Sequence, residues 1–258
     1  MLVNYMKKLD SVLVAFSGGV DSTLLLAAAL DALGSERVLA VTAESVIHPP
    51  GELDEAKRTA KELGARWKKV RSTEMSNPDF VANSRERCYY CKRGLLDLLN
   101  SLAREEGMSM VVEGSNSSDL DDFRPGFRAV REAGVLSPLL EVGMSKSDIR
   151  EAARFRGLSS WDRPSDACLC SRIPYGTEIT GERLERIYKA ECIIRDLGLN
   201  GFRVRDHGAV ARLEVSPGDI EIVCREENRS GIAAKLRSLG YKHVAVDLEG
   251  YRTGSMNE

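Results

Sequence analysis

Four short apolar runs punctuate the first half of the chain: Val12–Phe16, Arg37–Thr42, Ala65–Val70 and Met108–Glu113. Between and after them lie longer segments whose apolar residues recur at helical spacing: Ser22–Leu33, Leu53–Leu63, Cys88–Glu105 and Ser145–Phe155. The short runs read as strands and the long segments as helices. Their alternation predicts an α/β domain, a doubly wound parallel sheet with helices on both faces. The pattern changes near Arg163-Pro164. A Cys-containing loop is followed by a helix over Gly181–Leu197, ended by Gly198, and by strands Phe202–Arg205 and Val210–Val215 about a His207-Gly208 turn. A helix over Ser230–Leu239 and a strand over Tyr241–Asp247 complete a smaller α+β unit. Two domains are therefore expected, residues 1–163 and 164–258, with the boundary within Trp161–Ala167. The polar last ten residues read as a frayed tail.

Composition narrows the picture. The 258 residues are 43% hydrophobic, enough for a substantial core. Charge is nearly balanced, 37 Lys and Arg against 39 Asp and Glu. A protein that grips a long nucleic acid carries a basic excess, so no nucleic-acid partner is expected. No run is long and apolar enough to span a bilayer and no signal-peptide pattern is visible, so a cytoplasmic protein with no membrane partner is expected. In that reducing setting six cysteines point to metal, catalytic or buried thiols before disulfides.

In a parallel sheet, ligands sit at the carboxyl ends of the strands. The segment after the first strand is Ser17-Gly18-Gly19-Val20-Asp21-Ser22, leading straight into a helix. Gly18 and Gly19 let the backbone approach a phosphate, and the free N–H groups and dipole of the helix hold it. Ser17 and Ser22 add hydroxyl donors, and Asp21 suits a metal or a helix cap. The Gly-Lys-Ser/Thr ending of a Walker loop is missing. The six residues resemble the pyrophosphate loop of the ATP pyrophosphatase (PP-loop) superfamily, which splits ATP between its α and β phosphates. A merely tight turn has no need of two hydroxyls and an acid.

Two more strand ends carry candidates. Thr42–Ser45 can present backbone groups to adenine, or is an ordinary turn. After the fourth strand comes Glu113-Gly114-Ser-Asn-Ser-Ser-Asp119-Leu-Asp-Asp122-Phe-Arg124-Pro-Gly126. Its acids, Asp119 and Asp122 with Asp21, suit Mg2+ beside ATP phosphates. Arg124 and Arg128 suit a phosphate clamp, and Gly114 joins the nucleotide-binding set. The alternative is a polar loop of Asx turns.

The cysteines fall in two groups. Cys88 and Cys91 begin a helix, where thiol pKa values are depressed; they suit zinc or a disulfide, but no second pair with zinc-like spacing exists. Lys92 beside them can reach a phosphate. Cys168-Leu-Cys170 lies in a Gly/Pro loop next to Arg172. It offers either two core thiols or two iron ligands, with a third from Cys192 or Cys224. Arg203 and Arg205 alternate on one strand face and suit a phosphorylated ligand, or else form a charged solvent face. His207 reads as a turn residue.

Together these motifs resemble the LarE family, ATP-dependent sulfur transferases of nickel-pincer nucleotide biosynthesis. The resemblance rests on 17–22, on Arg-Cys-Tyr-Tyr-Cys-Lys at 87–92, on Glu-Gly-Ser-Asn at 113–116 with Asp119, Asp122 and Arg124, on Ala-Cys-Leu-Cys-Ser-Arg-Ile-Pro-Tyr-Gly at 167–176, on Phe-Arg-Val-Arg at 202–205, and on the tail 247–258. It implies ATP and Mg2+ as cofactors and adenylation of a carboxylate of pyridinium-3,5-biscarboxylic acid mononucleotide. Sulfur then displaces AMP to give a thiocarboxylate. It implies that Arg203 and Arg205 hold the substrate phosphate, with the catalytic candidate Glu191 and Glu214 near the sulfur. In one branch of the family the cysteine matching Cys168 gives up its own sulfur. The presence of Cys170 aligns this chain with the branch in which three cysteines hold a 4Fe–4S cluster, here Cys168, Cys170 and Cys192 with Cys224 in reserve. A homo-oligomer and a place among enzymes of one cofactor pathway are further implications. The competing reading is a tRNA thiolase or amide-forming synthetase of the same superfamily, for which neither a basic excess nor a glutaminase signature is present.

Overall fold

The computed structural model describes residues 1–121, 125–163 and 167–252. Two compact units emerge. One comprises Met1–Ser45, Pro50–Phe80 and Arg85–Asp166; the other comprises Val46–Pro49, Val81–Ser84 and Ala167–Glu258. The short segments 46–49 and 81–84 thus belong structurally with the later part of the chain, which local sequence pattern does not indicate.

The first unit is the doubly wound α/β fold the alternation predicts. Strands β1 (Val12–Ala15), β2 (Val38–Glu44), β3 (Arg66–Arg71) and β4 (Met110–Val112) form a parallel sheet in the order β3-β2-β1-β4. The central strands are apolar because both of their faces are covered. Val12 and Val14 enter a core with the Val20–Leu33 helix, whereas Leu13 enters a second core with Leu96 and Leu99 of the Arg87–Glu105 helix. Strand β3 lies at the edge and carries Arg66, Lys68, Lys69 and Arg71, charges that discourage edge pairing. The chain runs from β1 outward to β2 and β3, then returns to place β4 on the other side of β1. The switch point therefore falls between β1 and β4, where ligands bind in such sheets.

The second unit packs the Gly181–Arg195 and Glu226–Ser238 helices on a mixed sheet. Its strands β5 (Arg203–His207), β6 (Val210–Glu214) and β7 (His243–Val246) lie in the order β5-β6-β7, the first pair antiparallel and the second parallel. Ile194, Val204, Leu213, Leu236 and Tyr241 fill its core.

Boundaries depart from the sequence reading where periodicity is silent. The last helix begins at Glu226, four residues before Ser230, because Glu226 and Glu227 suit the positive end of the helix although they bury nothing. The helix from Gly181 stops at Arg195, and Gly198 (φ +79°) closes the turn after it. Leu2–Met6, Pro78–Val81, Gly126–Glu132, Pro138–Glu141 and Ile220–Cys224 are helices too short to show a 3.6-residue repeat. The expected domain boundary after residue 163 and most of the expected frayed tail lie outside the described residues. No helix among the described residues is long and apolar enough to cross a membrane.

Candidate functional site

At the β1–β4 switch point the Ser17–Ser22 loop closes on itself. Ser17 Oγ and Ser22 Oγ share a hydrogen bond of 3.1 Å, the Ser22 hydroxyl donates to the Gly19 carbonyl (3.1 Å), and the Gly19 N–H donates to Ser17 Oγ (3.3 Å). Gly18 holds φ +78°, a conformation L side chains rarely adopt. Gly19 is the N-cap of the Val20–Leu33 helix, and no side chain caps it. That leaves first-turn N–H groups for an anion. Gly114 follows β4, and a Cβ there would stand 3.2 Å from Ser22 N and 3.3 Å from Asp21 Cβ. The two loops thus meet so closely that only glycine fits without displacement.

Asp21 is held from two sides. Asn116 Nδ2 donates to Oδ1 (3.2 Å), and Lys146 Nζ pairs with Oδ2 at 2.5 Å. Asn116 is oriented in turn: its N–H donates to Asp119 Oδ2, and its Oδ1 accepts from the Ser118 N–H. Behind the loop, buried Glu113 accepts from Lys92 Nζ (2.8 Å), Ser137 Oγ (2.5 Å) and both the N–H and the hydroxyl of Ser115. Burial pushes the Glu113 carboxyl up, but Lys92 and the two hydroxyls outweigh it and leave the pKa below the usual glutamate value. Lys92 therefore anchors this carboxylate. Thr42 is buried in β2 and its hydroxyl accepts from Trp67 Nε1 (2.9 Å). Arg128 pairs with Glu86 (2.5 Å) and its guanidinium lies 3.9 Å from the Tyr89 ring centre. Asp122 and Arg124 lie outside the described residues.

The second unit builds its site from buried charge. Cys168 precedes a 3-10 turn over Leu169–Arg172, and the Leu169 N–H donates to the Ile47 carbonyl (2.8 Å). Cys168 is half-buried, whereas Cys170 is 0% exposed, so burial of the kind expected of core thiols is complete for Cys170 only. Arg172 is buried and forks onto Glu191, Nε to Oε1 at 2.8 Å and Nη2 to Oε2 at 3.0 Å. Arg205 Nη1 donates to the Ser171 carbonyl (3.0 Å), and its Nη2 to Glu214 Oε2 (2.6 Å). Glu214 Oε1 also takes Arg212 Nη2 (2.9 Å), and Arg212 Nη1 reaches Asp247 (2.9 Å). Glu191, Glu214 and Arg205 therefore gather around the cysteine turn. Arg203 Nη1 donates to the Phe202 carbonyl, and its guanidinium lies 4.9 Å from the Tyr251 ring centre.

Cys192 is half-buried, one residue beyond Glu191, and its sulfur accepts from Arg195 Nη1 (3.4 Å). Cys224 is exposed at the end of the Ile220–Cys224 helix. Three thiols are chemically right for an iron–sulfur cluster. Yet among the described residues no three His, Cys, Asp or Glu side chains are grouped to hold a metal ion. Cys88 is exposed and Cys91 half-buried at the start of the Arg87–Glu105 helix.

Two residues that organise these sites are given no role by the sequence reading, though each leaves a trace. Lys146 is the first residue of the Lys146–Phe155 helix, where a cation opposes the helix dipole and so needs another reason to be there. Arg172 interrupts the apolar Leu169–Ile173 neighbourhood, a position a charged residue occupies only when paired.

Comparison with known proteins agrees with this geometry. The family model for NAD synthase matches residues 2–87, which include the Ser17–Ser22 loop. An NH3-dependent NAD+ synthetase of Pyrobaculum aerophilum is 40% identical over 80 residues, 29% of this chain and 30% of its own length. Other relatives match over nearly their full length. An uncharacterized protein of Synechocystis is 41% identical over 99% of this chain and 95% of its own length. The pyridinium-3,5-bisthiocarboxylic acid mononucleotide synthase of Lactiplantibacillus plantarum is 38% identical over 100% of this chain and 92% of its own length. With the nucleotide loop and the cysteine turn both in place and the match spanning the whole chain, the protein belongs to the LarE family of ATP-dependent sulfurtransferases.

Proposed function

We propose that the protein activates a carboxylate of pyridinium-3,5-biscarboxylic acid mononucleotide with ATP and replaces one carboxylate oxygen with sulfur. The observation that carries this reading is the pairing of a pyrophosphate loop, shut against Gly114, with a half-buried cysteine held on a charge-locked turn. A carboxylate resists nucleophiles. Attack of its oxygen on the α phosphate releases pyrophosphate and leaves an acyl-adenylate, whose AMP is a good leaving group. The first-turn N–H groups, Ser17 and Ser22 receive the departing pyrophosphate. Asp21, Asp119 and Asp122 are the proposed holders of Mg2+, which would neutralise phosphate charge when bound. Thr42, Gly114 and Arg124 complete the proposed nucleotide set, and Arg203 and Arg205 the proposed contacts to the substrate phosphate.

Cys168 is the more accessible thiol of the turn and is the proposed nucleophile. Its thiolate displaces AMP to form a thioester. Loss of the Cα proton and cleavage of the Cβ–S bond then release the thiocarboxylate and leave dehydroalanine. A second reading is favoured by the presence of Cys170 beside Cys168: Cys168, Cys170 and Cys192 would hold a 4Fe–4S cluster, which would supply sulfide and spare the protein. A homo-oligomer working beside other enzymes of the same cofactor pathway completes the proposal.

The test is incubation with ATP, Mg2+ and the mononucleotide, with and without prior anaerobic reconstitution by iron and sulfide. AMP, pyrophosphate and a product bearing sulfur for oxygen are expected. Protein lighter by one sulfur and two hydrogens identifies Cys168 as the donor. Bound iron lost in C170S, with protein mass unchanged after turnover, identifies the cluster. Absence of AMP under both conditions sinks the proposal.

A further inference from the structure

We propose that Arg172 is a positioning residue that shapes the cysteine turn, with Glu191 as its fixed counter-charge. The inference rests on the reading that sulfur is transferred at this turn, and it holds for either sulfur source.

The contacts define the role. Arg172 Nη1 faces the carbonyls of Ala167 (2.6 Å) and Cys168 (3.1 Å) and the hydroxyl of Ser171 (3.0 Å). Its Nε and Nη2 take both oxygens of Glu191. One guanidinium therefore fixes the backbone on either side of the Cys168 Cα and fastens it to the Gly181–Arg195 helix. Arg205 fixes a carbonyl further along the turn, that of Ser171. A planar fork can satisfy acceptors in these separate directions at once; the ammonium of lysine is a point donor and cannot.

Glu191 is fully engaged. Oε1 accepts from Arg172 Nε and from the Val204 N–H (3.2 Å), Oε2 accepts from Arg172 Nη2, and the residue is 3% exposed. Both of its oxygens are committed to the guanidinium and the Val204 backbone. The same clamp divides the two thiols, turning Cys168 toward the surface while Cys170 stays buried.

The experiment is peptide-resolved alkylation with iodoacetamide under reducing conditions, on wild type, R172K and the double variant R172M/E191L. In wild type, Cys168 is expected to react and Cys170 to be protected. In R172K, Cys170 should lose protection by about tenfold or more as the turn opens locally. The double variant replaces a buried ion pair with apolar groups, an exchange that commonly preserves stability. It should melt near the wild-type temperature and still expose Cys170, because the Ala167 and Cys168 carbonyls remain unheld. Its rate of ATP-dependent sulfur transfer should fall about tenfold or more with KM for ATP unmoved. A double variant that melts normally and keeps the wild-type alkylation pattern overturns the proposal. If it does not fold, R172K decides: retained Cys170 protection overturns the proposal and lost protection supports it. The alkylation readout needs no turnover. Wild type that shows the divided thiols but makes no AMP leaves the positioning role standing and defeats the sulfur-transfer reading alone.

Discussion

The two halves of this enzyme solve the problem of holding reactive groups in opposite ways. The nucleotide loop uses short-range contacts: glycines, two serine hydroxyls, and helix N–H groups that need no side chain. The cysteine turn uses long side chains from four elements, with Arg172 on Glu191 and Arg205 on Glu214 buried together. The first arrangement is cheap to form and tolerant of solvent. The second places charges where they are costly unless every partner is present. Damage to the loop should therefore spoil chemistry and spare the fold, whereas removing one partner of a buried pair at the turn should cost stability first.

The largest effect tests the second half of that contrast. Glu214→Ala removes the carboxylate that separates the Arg205 and Arg212 guanidiniums. Two buried or half-buried cations are left facing each other. A loss of about 3–5 kcal/mol is expected, as for other buried pairs broken on one side. Urea denaturation measures it. A loss below about 1 kcal/mol, the range of surface pairs, would show that the network is solvated and that the contrast is false.

Asp21→Asn tests the other half. The substitution keeps the shape and the Asn116 contact but removes the charge that Lys146 and a divalent cation would meet. AMP formation should fall by about 100- to 1000-fold, the usual scale for a lost electrostatic group. The melting temperature should barely move, because Asp21 and Lys146 are both partly exposed. A variant that melts much lower and, once folded, works normally would reverse the assignment.

That difference also explains what could be read from the sequence. The Ser17–Ser22 loop is legible because its function lies in the backbone of consecutive residues, announced by an apolar strand and a helical repeat on either side. Gly114 is legible as part of a motif, but its reason, the approach to Ser22 N, depends on a partner more than ninety residues earlier. The pair Cys168 and Cys170 stands out, yet nothing local says that one is half-buried and the other buried. Glu191 enters as a candidate only through the family resemblance, and its pairing with Arg172 is not legible because that partner lies nineteen residues back and becomes a neighbour only through the helix. Lys146 is harder still, since it meets Asp21 across 125 residues.

A smaller effect sharpens the loop's geometry. Gly114→Ala would put a methyl group 3.2 Å from Ser22 N. That is tight enough to move a loop by a few tenths of an ångström, short of a steric block. Overpacking of about 1–2 kcal/mol is expected, with KM for ATP rising by about tenfold as the loop N–H groups shift off the phosphate. Calorimetry with inorganic pyrophosphate reads the same shift without turnover. Unchanged pyrophosphate affinity would mean that the close approach serves packing alone.

The smallest effect is a slope. Glu113 supports the loop through a buried ion pair with Lys92, and its pKa in the fold lies below its value in the unfolded chain. The unfolded state therefore binds the proton more readily, so protonation favours unfolding. The stability contributed by this group is fully present above the ordinary glutamate value, about 4.5, and is lost as pH falls through the lower folded value. Other carboxylates titrate in the same range, so the readout is the stability difference between wild type and Glu113→Gln. That difference should be constant from neutral pH down to about 4.5 and should narrow below it, because glutamine has no proton to take up. A gap that stays constant to the lowest pH at which both proteins fold would mean that the Glu113–Lys92 pair is not favoured over the unfolded ions. The loop would then owe its position to the Ser115 and Ser137 hydrogen bonds, which an amide oxygen can also accept.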